Sequence, residues 1–144
     1  MTMPNFPLPI PTQDTEPFWQ GLREGKLLLQ RCLSCHAIRY PPRPMCSECN
    51  SMEVEWVPAS GRGSVYSYTV THQALHPTLV DRIPHVVILV ELEEGVRITS
   101  NILDCQVSDV YIGLPVEVVL DQVTDEVTLP KFRPRREDGR ASRV

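Results

Sequence analysis

Two Cys-x-x-Cys pairs, Cys32/Cys35 and Cys46/Cys49, stand ten residues apart in the stretch CLSCHAIRYPPRPMCSEC. Each two-residue spacer lets the chain turn into a tight knuckle whose sulfurs face one point. A short hairpin between the knuckles then brings all four sulfurs together, the tetrahedral thiolate set that Zn²⁺ prefers. Such a cage is coordinatively closed, with no position left for water or substrate, so the expected role of the zinc is structural. Pro41, Pro42 and Pro44 lie between the pairs, and few core-forming residues surround them. Metal binding is therefore expected to supply most of the local folding free energy, on the order of 10 kcal/mol.

His36 follows the first pair directly, and Cys-x-x-Cys-His is also the attachment motif of c-type haem. That reading needs an export signal and leaves Cys46 and Cys49 without a role. A redox dithiol would need a βαβ setting, which the proline-rich flanks do not provide. His36 reads more simply as the residue after a knuckle, at a position that often takes positive φ. Cys105 stands outside the pattern and reads as a small buried hydrophobe.

The chain has 144 residues, room for one ordinary domain or for a small domain joined to a module too short for its own core. Five prolines between residues 4 and 17 make an extended arm. The last 14 residues hold six Lys or Arg against two acidic residues, and the preceding 130 hold eight against sixteen. The body thus carries about −8 and the tail about +4, an acidic body that repels nucleic-acid phosphates and a basic tail expected to be disordered. No apolar run approaches the ~20 residues of a membrane span, and MTMPNFPLPI lacks the features of a signal peptide. A cytoplasmic protein is expected, and in that compartment four regular cysteines do not read as disulfides.

TEPFWQGLREGKLLLQRC reads as a short helix leading into the knuckles, with Thr15 or Glu16 as cap, Pro17 in the first turn, and Phe18, Trp19 and Leu22 on one face. Phe18 and Trp19 either pack on the chain's own core or anchor a partner. After the knuckles the hydrophobic period becomes two. In GSVYSYTVTH, Val65, Ser67, Thr69 and Thr71 fall on one face and Tyr66, Tyr68, Val70 and His72 on the other. PHVVILVELEEG reads as a central strand, joined to VRITSNIL by a turn at Glu94-Gly95. PVEVVLDQ and EVTLPKF form a second hairpin through Val123 to Asp125, and SDVYIGL bridges the two hairpins. The expected fold is mainly β: residues 1–29 a proline-rich arm and helix, 30–57 a zinc ribbon, 58–130 a five-stranded oligonucleotide/oligosaccharide-binding (OB) barrel, and 131–144 the tail.

In that order, the Phe18-Trp19 helix, LLLQRC, the knuckles with YPPR between them, SGRGSVYSYTV, VELEEGVRITSNI, IGLPVEV and FRP resemble one known family. It is the zinc-ribbon/OB-fold family called domain of unknown function 35 (DUF35), and the resemblance covers roughly residues 14 to 134. The family commonly has Gly where this chain has His36. The resemblance implies a rubredoxin-like ribbon, an OB barrel, and a non-catalytic accessory subunit. Its implied partner is a thiolase-like enzyme, an acyl-CoA hydratase or a lipid-transfer-protein-type aldolase, whose acyl-CoA site it helps to form.

Two other functions were open to the sequence. An OB barrel can bind nucleic acid, and Tyr66 and Tyr68 could stack bases, but the acidic body opposes it. The segment THQALHPTLVDRIPH places His72, His76, Asp81 and His85 within 14 residues, yet no Ser or Cys nucleophile stands among them. The softer expectation is that His72, His76 and His85 reach a partner's active site. For CoA phosphates the candidates are Arg62, Arg82 and Arg97, each of which also reads as a surface ion-pairing residue.

Overall fold

The computed structural model describes residues 8–73, 77 and 84–135. His76, Asp81 and Arg82 lie outside them, as do the start of the arm and residues 136–144.

Helix α1 spans Glu16–Arg23 with Pro17 in its first turn. Thr15 does not cap it through its side chain; its hydroxyl instead accepts the Thr12 N–H at 2.8 Å. The helix lies close on the next strand because Gly21 faces Leu28. A Cβ at Gly21 would stand 2.6 Å from Leu28 Cδ1, so the glycine that weakens the isolated helix permits its docking.

Strands β1 (Leu28–Cys32), β2 (Ile38–Arg39) and β3 (Val54–Pro58) form an antiparallel sheet in the order β2-β1-β3. The five strands of the second sheet are β4 (Arg62–Thr71), β5 (His85–Leu92), β6 (Arg97–Asn101), β7 (Pro115–Gln122) and β8 (Thr128–Pro134). Their order is β6-β5-β4-β7-β8. A parallel bridge between Ile102 and Phe132, with the Leu103 N–H donating to the Phe132 carbonyl at 2.7 Å, brings the two edges together into a nearly closed barrel. The mainly β fold expected from the sequence is the one observed.

Two local features depart from the sequence expectation. Val65 pairs with Val90 and Ser67 with Leu89, which leaves Tyr66 as the extra residue of a β-bulge. Directly opposed residues share a face, so beyond the bulge Tyr68 falls on the face of Ile88 and Val70 on that of Val86, although Tyr68 itself stays exposed. The expected grouping of Val65 with Ser67, Thr69 and Thr71 is therefore broken after its first member. Secondly, β8 runs four residues past the expected barrel boundary at 130. Phe132, past that boundary although it ends the expected strand EVTLPKF, is fully buried in the barrel.

Among the described residues one hydrophobic cluster joins helix, ribbon and barrel. Phe18, Leu22, Leu27 and Leu29 from the helix and ribbon join Val65, Ile88, Val90, Ile98, Val116 and Phe132 from the barrel. Val110 and Leu114, which bracket the loop after a 3-10 turn at Val107–Asp109, add to the same cluster.

Candidate metal centre

The two knuckles are built alike. In the first, Ala37 O accepts the Cys32 N–H, Cys32 O accepts the His36 N–H, and Cys32 Sγ accepts N–H groups from Ser34 and Cys35. In the second, Ser51 O accepts the Cys46 N–H, Cys46 O accepts the Asn50 N–H, and Cys46 Sγ accepts the Glu48 N–H. His36 and Asn50 close the turns at φ 68° and 64°. The positive φ at His36 is as the sequence suggested. The first knuckle's pattern, repeated on the second, points to Asn50 as its counterpart.

The knuckles face each other. Cys32 Sγ and Cys49 Sγ are 3.5 Å apart, Cys35 Sγ and Cys46 Sγ 3.6 Å, and all four sulfurs lie within 4.8 Å of one another. A tetrahedron with ~2.3 Å Zn–S bonds has edges of about 3.8 Å, so the spacing suits zinc without rearrangement. Cys32 and Cys46 are buried while Cys35 and Cys49 face solvent.

The four thiols divide electrostatically into two that are lowered and two that are raised. The backbone N–H of Cys35 draws the Cys32 thiol down to about 6, helped by the Ser34 N–H and opposed by burial. Cys46 is likewise lowered, by the N–H groups of Cys49 and Glu48. Cys49 is pushed up to about 12: the Ser51 N–H works the other way, but the neighbouring Cys32 sulfur, burial and the remaining cysteines outweigh it. Cys35 is raised too, by burial and by Cys46 and Cys32, against the Ala37 N–H. Four negative sulfurs cannot share so small a space unless a metal ion neutralises them.

The other candidate residues do not join this centre. Phe18 is buried, edge-on to Trp19 at 5.1 Å and near Tyr40 at 5.7 Å, so it packs on the chain's own core and offers no anchor to a partner. Trp19 is half-buried against the same core. Arg62 forms a two-pronged pair with Glu93, 2.9 Å at each contact, and holds that carboxyl below its usual range. Arg97 stands 3.8 Å over the Tyr66 ring and 3.5 Å from Glu91. His72 is exposed just past β4, and His85 opens β5 opposite Thr71. The Cys105 thiol is raised by burial and then by Asp109, which makes it a poor nucleophile at neutral pH.

The profile of the ChsH2 rubredoxin-like zinc ribbon domain matches residues 19–55, and that of the ChsH2 C-terminal OB-fold domain matches residues 56–121. A DUF35 domain-containing scaffold protein of Methanocaldococcus jannaschii is 38% identical over 75% of this chain and 77% of its own length. The chain belongs to the DUF35 family. The four cysteines of this DUF35 protein are the ligand set of its structural zinc ribbon.

Two hydratase subunits resemble it over part of their length. A probable enoyl-CoA hydratase alpha subunit of Thermomonospora curvata is 38% identical over 89% of this chain and 40% of its own. The 3-oxo-4,17-pregnadiene-20-carboxyl-CoA hydratase alpha subunit of Mycobacterium tuberculosis is 38% identical over 75% of this chain and 34% of its own. The DUF35 chain thus spans well under half of these relatives. A solved structure described as the Ltp2-ChsH2(DUF35) aldolase superposes with a TM-score of 0.81 at 38% identity, covering 88% of this chain and 98% of the matched one. Among the described residues, no helix is long and apolar enough to cross a membrane.

Proposed function

We propose that this chain is a non-catalytic accessory subunit. It binds a thiolase-like, hydratase or aldolase partner and helps form that enzyme's site for an acyl-CoA, with steroid or other lipid acyl groups as the substrate class. The likeness to nearly the full length of a chain from the Ltp2-ChsH2(DUF35) aldolase is the observation that carries this reading. The names of the hydratase alpha subunits and of the scaffold protein support it. Physically, the closed sulfur cage offers no reactive position, and the sulfurs instead hold a rigid tip. On that tip Leu33 and Met52 are exposed, 47% and 64%, and the Leu33 N–H bonds to the Glu53 carbonyl beside Met52. Exposed apolar side chains on a rigid support suit docking.

Arg62 and Arg97 already have carboxylate partners, so a role toward CoA phosphates would require exchanging Glu93 or Glu91 for the ligand. The alternative of nucleic-acid binding is opposed by the acidic body. The test is affinity purification of the full chain from its native host. A stoichiometric acyl-CoA enzyme, active on acyl-CoA only when both proteins are present, is expected. Turnover by the isolated chain, or recovery with nucleic acid and no enzyme, would overturn the reading.

A further inference from the structure

A cleft of about 520 Å³ opens between the ribbon and the turn joining β5 to β6. Arg39, Tyr40, Arg43 and Glu48 line it from the ribbon, and Val96 and Arg97 from the barrel. Its volume lies within the range of small-molecule sites. Arg39 is only 5% exposed, and its place in the fold is tightly set. It pairs across β1 with Gln30, which is 3% exposed. The two side chains hold the backbone of Arg43 from both sides: Gln30 Oε1 accepts the Arg43 N–H at 2.8 Å, and Arg39 Nη2 donates to the Arg43 carbonyl at 2.8 Å.

That leaves Arg39 Nε and Nη1 buried without a hydrogen-bond partner. A guanidinium stays charged at any physiological pH, and a buried charge is normally paired. Among the described residues no carboxylate forms an ion pair with Arg39 or Arg43, and Glu48, though it lines the cleft, pairs with neither. The cleft therefore sets Arg39 and Arg43 against the single lining carboxylate of Glu48, with Arg97, itself 3.5 Å from Glu91, on the barrel side, in a protein whose body is otherwise acidic.

We propose that this cleft is a binding site for a phosphate-bearing small molecule, anchored on Arg39. Arginine matches phosphate oxygens through several N–H groups at once. A tetrahedral oxyanion accepts from several directions, which suits donors on Arg39 and Arg43, with Arg97 able to join by exchanging Glu91, and the space exceeds what a lone carboxylate fills. The site lies wholly within this chain and needs no partner enzyme, so it stands or falls separately from the docking role.

The test is a titration of the full-length, zinc-loaded chain with sodium phosphate, followed by ¹⁵N NMR at fixed pH and ionic strength. Saturable shifts of the Arg39 Nε–H signal and of the Arg43 and Arg97 amides are expected, larger than with sodium acetate. Arg43→Gln, at an exposed position, and Arg39→Lys should each weaken phosphate binding about tenfold with zinc content unchanged. If Arg39→Lys does not fold, Arg43→Gln decides alone. No saturable response would show a cleft satisfied by water, and would overturn the proposal. An equal response to acetate, or phosphate binding undiminished by the substitutions, would overturn it as well.

Discussion

His36 and Asn50 occupy equivalent places in the two knuckles, each left-handed and each donating its backbone N–H at 2.9 Å to the carbonyl of the first cysteine of its own turn. Strain of this kind costs a non-glycine residue on the order of 1 kcal/mol, and more when the side chain is β-branched. His36→Gly should therefore leave zinc binding intact and raise stability by up to about 1 kcal/mol, whereas His36→Val should lower it by about 1–2 kcal/mol. Denaturant melts of the zinc-loaded proteins would show the opposite signs; equal stability of the two variants would contradict the left-handed turn.

Zinc uptake should release protons. At pH 7 the metal-free ribbon keeps the protons of Cys49, whose thiol sits at about 12, and of Cys35, which is also raised, so the metal displaces both. Cys32, at about 6, is already largely ionised there. The affinity should fall by at least about two decades per unit of acidification near neutrality, and more steeply below pH 6, where Cys32 also takes up a proton. Chelator competition across this range measures it, and a pH-independent affinity would refute it.

Gly63 admits no side chain. A Cβ there would fall 2.4 Å from the Glu91 carbonyl oxygen, which belongs to the β4–β5 ladder and cannot move independently. Gly63→Ala should cost about 1–3 kcal/mol by forcing the strands apart. Loss of amide protection along Ser64, Val65 and Val90 in hydrogen exchange would locate the damage.

Phe132 both fills the core and closes the barrel through its backbone. Phe132→Ala should destabilise the chain by about 3–5 kcal/mol. A cost below about 1 kcal/mol in a denaturant titration would mean that residues past 130 are dispensable after all.

The metal cage and the strand content were legible because each depends on local spacing: a two-residue gap for a knuckle, a period of two for a strand. What stayed hidden depends on pairing. The bulge at Tyr66 shifts which face Tyr68 and Val70 present, and no local pattern announces it. Nothing in the sequence marks Arg39. Only the strand register, which sets it opposite Gln30 beneath the Arg43 loop, buries it. Phe18 is ambiguous in the sequence for the same reason, since whether an aromatic is an anchor or core depends on what the helix lies against.

The interleaving of Phe18, Leu22, Leu27 and Leu29 with the barrel interior means that ribbon and barrel are a single casting, not two beads on a thread. Neither half could be grafted elsewhere without baring the apolar side it now shares. Recombination would be expected to move such a unit only whole, and the likeness to the hydratase subunits, which takes in both halves together within a longer polypeptide, fits that constraint.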